Sequence, residues 1–279
     1  MFAECKNLKG IKMNEDGTPY VDEATNDYVY TLTLPDGAFY FGTYTFRNSG
    51  LVALKIGAKT QLGSNASSAS FTSTTSIFSG CTELEKVTFE GENIKICGQA
   101  FKGCEKLATV VGLEKAKYIG KNAFEGTAVT ELKFEDDVEF GDSAFKECDS
   151  LTAVTFSDKQ TAIGPSAFFG CDSLATFNLP DSIKTLGANC FGWAPIDGKT
   201  ITLPKNLAAL GNGAFFGCEI TAYEISADNT AFAVKDGVLY NKDLSKVISI
   251  PAGMKEVDIS GAKSIGSYAF AYCTFTSIK

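Results

Sequence analysis

The sequence predicts a repeat solenoid, and three observations carry that reading: a recurring motif, an even spacing of one marker residue, and a short strand pattern inside every copy. The motif is Ile-Gly-x-x-Ala-Phe-x-Gly-Cys-x-x-Leu-x-x-Val-x-Phe. Its clearest copies contain Ala100-Phe101-Lys102-Gly103-Cys104, Ala144-Phe145-Lys146-Glu147-Cys148, Ala167-Phe168-Phe169-Gly170-Cys171 and Ala214-Phe215-Phe216-Gly217-Cys218. The marker phenylalanines extend to Phe2, Phe46, Phe78, Phe124, Phe191 and Phe270. From Phe78 to Phe215 the steps are 23, 23, 21, 23, 23 and 24 residues. A globular domain has no reason to space one residue type so evenly, whereas stacked copies of one unit do.

Within each copy, segments such as Leu84-Glu85-Lys86-Val87-Thr88-Phe89 and Leu151-Thr152-Ala153-Val154-Thr155-Phe156 have the L-x-x-L-x-L form of a leucine-rich repeat. The last two apolar residues alternate inward on a short strand. Stacking aligns these strands into a parallel sheet on one face, at about 4.8 Å per coil, so that about ten coils span roughly 45 Å of a curved, elongated array. On the other face, Gly-x-x-Ala-Phe reads as a tight turn and short helical piece that wedges its phenylalanine into the core, with the coils fanning apart there. Residues 1–279 form one solenoid domain with irregular inserts near 14–34, 67–76 and 228–251. The first and third carry the hairpin signals Asp16-Gly17 and Asp236-Gly237, and the second is a serine- and threonine-rich loop. The chain starts halfway through a repeat and stops on a strand. It is therefore expected to be part of a longer chain, the alternative being that its first hairpin and last strand act as caps.

Composition narrows the chemistry. The net charge of -8, from 33 acidic and 25 basic residues, argues against a phosphate-binding face and hence against nucleic acid. There is no histidine, which removes Ser-His and Cys-His nucleophilic pairs and histidine-containing zinc sites. No run of about 18 apolar residues could span a bilayer. The chain opens without the apolar stretch of a signal peptide.

The nine cysteines could suggest metal or redox work. Seven of them, Cys5, Cys81, Cys104, Cys148, Cys171, Cys218 and Cys273, sit three residues after the marker position, where Ser49, Thr127 and Ala194 stand in other coils. A position that accepts Ser, Thr, Ala or Cys asks for small volume, so a ladder of mostly free, buried thiols is expected. Two acidic clusters, Glu135-Asp136-Asp137-Val138-Glu139 and Asn14-Glu15-Asp16-Gly17, lack the alternating spacing of a calcium loop and read as solvated turns. No catalytic residue, metal ligand or cofactor is predicted. A carboxylate-based hydrolase is the weakest reading, because such a reaction needs a pocket between two acids and short coils offer an open face.

Candidate binding residues lie on that open face. Lys55, Thr88, Val111, Lys133, Thr155, Asn178, Thr202 and Glu224 form a column between the inward positions of successive strands, with Thr109, Glu131, Ala153 and Thr176 beside it. The column is rich in threonine, a good strand former, and short of the aromatic residues that anchor most partners. Trp193 stands apart: it replaces the turn glycine in Cys190-Phe191-Gly192-Trp193-Ala194-Pro195. Either it anchors a partner or it folds over Pro195 and Ile196 to patch an irregular coil.

The repeat, with Asp228-Asn229-Thr230-Ala231-Phe232 and Asp236-Gly237-Val238-Leu239-Tyr240-Asn241-Lys242, resembles the BspA-like leucine-rich-repeat family over most of the chain. The resemblance implies a secreted or cell-surface protein of bacteria or parasitic protists that adheres to or binds host proteins, with no catalytic residues. Residues 14–34 fit the repeat poorly, and Trp193-Ala194 departs from the usual Gly-Cys pair. The expected function is therefore an extracellular or cell-surface recognition module that binds protein or glycan ligands of host or neighbouring cells. The alternative is a structural spacer that presents a distal domain. A monomer is expected rather than an obligate oligomer.

Overall fold

A computed structural model describes residues 5–15, 17–28, 32–34, 43–60, 62, 75–196 and 198–279. The chain winds as a β-solenoid whose coils stack through parallel strands. One face is built from Thr33–Leu34, Ala53–Ile56, Lys86–Phe89 and Thr109–Val111, and continues in Glu131–Lys133, Ala153–Thr155 and Thr176–Phe177, then Thr200–Thr202 and Ala222–Glu224. A second face carries Ile94–Ile96, Ala116–Ile119 and Glu139–Phe140, followed by Ala162–Ile163, Thr185–Leu186 and Ala209–Leu210. Between the faces, the inward residues of each coil fill one continuous core from Leu34 to Leu239.

The third side corrects two expectations. Its turns are not helical: the one helix among the described residues is the 3-10 segment Leu113–Lys115, which lies elsewhere in its coil. Nor do the coils fan apart. The N–H groups of Gln99, Phe101 and Gly103 donate to the carbonyls of Lys121, Ala123 and Glu125 in the next coil, each at 2.8 Å. The same three bonds recur from Ser166, Phe168 and Gly170 to Ala188, Cys190 and Gly192. Left-handed residues flank the marker and explain this: Gln99 (φ 59°) and Gly103 (φ 70°) bracket Phe101, and Ser166 (φ 51°) and Gly170 (φ 69°) bracket Phe168. Two reversals in five residues prevent a helix and aim the N–H groups at the neighbouring coil, so backbone groups find partners on all three sides.

The marker rings stack as the repeat demands. From Phe46 through Phe78, Phe101, Phe124, Phe145, Phe168 and Phe191 to Phe215, successive centroids lie 5.1–5.8 Å apart with planes within 17°. The glycine that opens each turn marks a close approach between coils. A Cβ on Gly141 would stand 2.5 Å from the backbone nitrogen of Lys121, and one on Gly187 would stand 2.4 Å from that of Pro165.

The hairpin signal Asp236-Gly237 falls in an antiparallel element. Phe232–Lys235 pairs antiparallel with Val238–Asn241 around Asp236 (φ 49°) and Gly237 (φ 79°), the two left-handed residues of a tight hairpin. Lys246–Ser249 adds antiparallel and then returns to the solenoid by pairing in parallel with Ser264–Ile265. Near the start, Met13 bridges Pro19 and Val21–Asp22 pairs with Asp27–Tyr28. Asp16 lies outside the described residues, as do residues 67–74 of the serine- and threonine-rich insert.

Candidate recognition surface

The strand register aligns the proposed column in three stretches. Lys55 is opposite Thr88, Thr88 opposite Val111, Lys133 opposite Thr155, and Thr202 opposite Glu224. Val111, Lys133, Thr155, Asn178, Thr202 and Glu224 are exposed, and Lys55 and Thr88 are half-buried. Alternation on a strand explains the contrast with their neighbours: Leu54, Ile56, Val87, Leu132 and Val154 point into the core and are buried. Lys55 reaches Glu90 at 3.4 Å, and the Thr202 hydroxyl donates to the Glu224 carboxylate at 3.4 Å. Beside Lys133 and Thr155, the Leu113–Lys115 excursion raises a wall over the sheet. The open groove beneath it, about 430 Å³, is lined also by Val110, Glu114, Glu131 and Ala153.

Asn178 is different. Its amide nitrogen donates to the Phe156 carbonyl at 2.9 Å, and its side-chain oxygen accepts from the Phe156 N–H at 2.7 Å. The side chain continues the ladder where the strand Thr176–Phe177 ends, so its polar groups serve the backbone of the previous coil. Two buried amides do the same work elsewhere. Gln160 accepts from the Val138 N–H and donates to the Val138 and Ala162 carbonyls, while Asn229 donates to the Lys205 and Leu207 carbonyls. Neither Gln160 nor Asn229 is marked in the repeat motif; their isolation at otherwise apolar positions was the available signal.

The thiols form the expected ladder with an added chemical reason. The Sγ atoms of Cys81, Cys104, Cys148, Cys171 and Cys218 donate to the carbonyls of Phe46, Phe78, Phe124, Phe145 and Phe191 in the preceding coils, at 3.1–3.2 Å. The Phe78 carbonyl also accepts the Cys81 N–H of its own coil, so the thiol occupies its second lone pair. All nine cysteines are free. Burial raises the Cys97 thiol from an ordinary 9.0 to about 11, and burial pushes Cys104 and Cys190 well up. In Cys171 the hydrogen bond to Cys148 acts first and burial second, in the same upward direction. These four thiols are held protonated, unlike reactive cysteines. The hydrogen bond with Cys104 lowers Cys81, whereas in Cys148 burial is outweighed by hydrogen bonds with Cys171 and Thr127, which lower it.

The acidic cluster near residue 136 is engaged in coil-to-coil contacts. Asp136 pairs with Lys117 of the preceding coil and with Lys159, and Asp137 accepts from the Thr161 N–H and hydroxyl, both at 2.9 Å. Hydrogen bonding from Lys117 lowers the Asp136 carboxyl to about 2.

Trp193 takes the left-handed conformation (φ 65°) that glycine adopts in other coils, and it is partly exposed. Its indole meets Phe216 edge-on at 5.7 Å and Tyr272 at 4.8 Å. It also covers Gly217, where an added Cβ would fall 2.5 Å from the ring. The tyrosine partner comes from a coil 79 positions later, which local sequence reasoning had no means to reach.

A stacked β-solenoid with a self-satisfied core and outward-facing variable rows defines a leucine-rich-repeat protein. More narrowly, the chain belongs to the BspA type leucine rich repeat region family, whose six copies match residues 71–197 and 195–279. No curated protein matches it. Among solved structures, a leucine rich cell surface protein from Faecalibacterium prausnitzii is 21% identical, with a TM-score of 0.55 over 96% of this chain and 74% of that one. A leucine-rich repeat protein from Bacteroides ovatus is 20% identical, with a TM-score of 0.53 over 88% of this chain. The match spans 59% of the length of the Bacteroides protein. At these identities the likeness establishes the fold. Among the described residues, no helix is long and apolar enough to cross a membrane.

Proposed function

We propose that this chain is a recognition module of a secreted or cell-surface protein, presenting its long parallel sheet to macromolecules of host or neighbouring cells. The observation that carries the reading is the in-register row through Lys133 and Thr155, whose exposed side chains border an open groove while their strand neighbours hold the core. A rigid row on stacked coils supports multivalent contact, because each coil adds a site without new ordering cost. The cell-surface description of the Faecalibacterium protein supports the location. Binding of the purified chain to immobilised matrix proteins and mucins tests this, with Lys133→Glu and Thr155→Arg introduced together. Saturable binding lost in the double variant is the expected result. Absence of binding favours a spacer that holds another domain at a distance, and binding indifferent to these changes moves the contact off the sheet face.

A further inference from the structure

The turn side changes character along the solenoid. At the two positions after the marker, the earlier coils carry charge: Lys102 pairs with Glu125 at 2.8 Å, and Lys146 with Glu147 at 2.9 Å. From Phe169 onward the same positions hold Phe169, Trp193, Phe216 and Tyr272, with glycine or alanine between them. The coil that passes through Ile250-Pro251-Ala252 lacks the Ala-Phe turn, which lets Phe216 and Tyr272 meet across it at 4.8 Å. Tyr268 closes the group on the Phe216 ring at 5.9 Å.

Three features make this cluster more than scattered apolar surface. Its outer rings are exposed, with Trp193 at 39%, Tyr272 at 56% and Tyr268 at 63%. All three sit in the left-handed backbone region, at φ 65°, 59° and 61°. Bulky residues are held there against a conformational preference; equivalent positions elsewhere use Gly126, Gly170, Asn122 or Ser166, and also Gln99, Glu147 and Tyr44. Finally, the turn positions beside these rings, Gly192, Gly217 and Ala271, carry no charge, unlike Lys102, Glu125, Lys146 and Glu147 in the earlier coils.

We propose that Trp193, Phe216, Tyr268 and Tyr272 form a carbohydrate-binding platform for a neutral saccharide chain. Four aromatic side chains of about 150–250 Å² each, exposed to these degrees, offer on the order of 300–400 Å². That is about half of the roughly 800 Å² a protein partner needs on each side, and it matches a few sugar rings. A pyranose presents an apolar C–H face to an aromatic ring and hydroxyls at its rim, where the two tyrosine O–H groups can bond. Because the adjoining turn positions Gly192, Gly217 and Ala271 offer no cation, an acidic sugar gains no counter-charge there and a neutral chain is the better match. This site lies apart from the sheet face, so it stands or falls separately from the reading of that face.

Trp193 is the only tryptophan in the chain, so its emission reports the site directly. The probes are cellohexaose and chitohexaose, with a sulfated heparin hexasaccharide as the anionic comparison. The expected result is a saturable change in Trp193 emission with a neutral hexasaccharide, weakened about tenfold or more in Tyr272→Ala when both chains are measured well below their own unfolding transitions. Isothermal titration of Trp193→Gly, which restores the repeat's own residue, should show binding lost in a folded chain. Lys133→Glu with Thr155→Arg should bind the sugar normally. Silence toward both neutral probes, equal affinity in Tyr272→Ala, or preference for the sulfated sugar would overturn the proposal. So would an emission change that follows protein concentration without sugar, which would mark self-association.

Discussion

Replacing Phe168 by alanine removes one ring from the middle of the aromatic ladder, and the structure sets the size of the effect. Phe168 is fully buried, stacks on Phe145 and Phe191 at 5.6 Å each, and meets Phe140 and Phe156 edge-on at 5.8 Å each. Truncating a buried phenylalanine costs about 3–5 kcal/mol, and each lost aromatic pair adds about 0.5–1.5 kcal/mol beyond the area. Four pairs place this variant at the upper end, about 4–5 kcal/mol. The adjacent Phe169 is half-buried on the outside of the same turn, so the identical change there should cost about 1–2 kcal/mol. Urea unfolding followed by both circular dichroism and Trp193 fluorescence measures the pair and tests whether the coils unfold together. A Phe168→Ala cost below about 2 kcal/mol, or a cost equal to that of Phe169→Ala, would refute the claim that the ladder holds the coils in register.

Gly141→Ala should destabilise the chain by about 1–3 kcal/mol, since the new methyl meets the Lys121 backbone rather than a movable side chain; a neutral melting curve would count against the close coil approach. Asn178→Ala should cost about 1–2 kcal/mol in urea unfolding through two lost backbone bonds, whereas Thr155→Ala one strand earlier should stay within about 0.5 kcal/mol. Stability should fall on the alkaline side. Buried thiols such as Cys97 keep their protons when folded, so their contribution is fully present below the unfolded value of 9.0 and is lost as pH rises towards about 11. A denaturation midpoint that is flat between pH 8.5 and about 10.5 would contradict this. Thiol titration should find few reactive groups in the native chain, led by the half-buried Cys5 and Cys273, and nine after unfolding without reductant; fewer than about five would point to disulfides.

The even spacing of Phe78 to Phe215 made the architecture legible, because only stacking gives a reason for such a period. What the sequence concealed was the conformation of the turn. Gly-x-x-Ala-Phe looks compatible with a short helix, yet Gln99, Asn122, Ser143, Ser166 and Asn189 all take positive φ two residues before the marker. The enrichment of asparagine, serine and glycine there was a readable signal for left-handed backbone, outweighed by the apolar pattern around it. The predicted column falls in register where its strands pair, as at Lys133 and Thr155, while the amide of Asn178 within it completes a strand ladder. An outward position in sequence does not say whether a polar side chain faces solvent or bends back to a neighbouring backbone. The aromatic cluster was beyond reach for another reason. Its coils meet only because the turn at Ile250-Pro251-Ala252 is abbreviated, and an omission sets no spacing that a repeat can reveal.

A solenoid of this kind separates stability from recognition along its own consensus. The residues that recur, the marker phenylalanine, the glycine before it and the cysteine after it, are consumed by ring stacking, close backbone approach and thiol-to-carbonyl bonds. They have little left to offer a partner. Recognition must then reside where a coil departs from the pattern at an outward position, and the departures fall unevenly. On the sheet they are single substitutions in a threonine-rich row, which tune a broad surface. On the turn side, Trp193, Tyr268 and Tyr272 are bulky residues in backbone conformations that favour glycine or asparagine, exposed and converging on one ring, Phe216. A core role would select against that combination, since a left-handed aromatic adds strain and an exposed one returns little burial. Restoring the consensus glycine at 193 therefore separates the two roles: a structural tryptophan predicts a loss of stability, and a ligand-facing one predicts a chain that stays folded and stops binding.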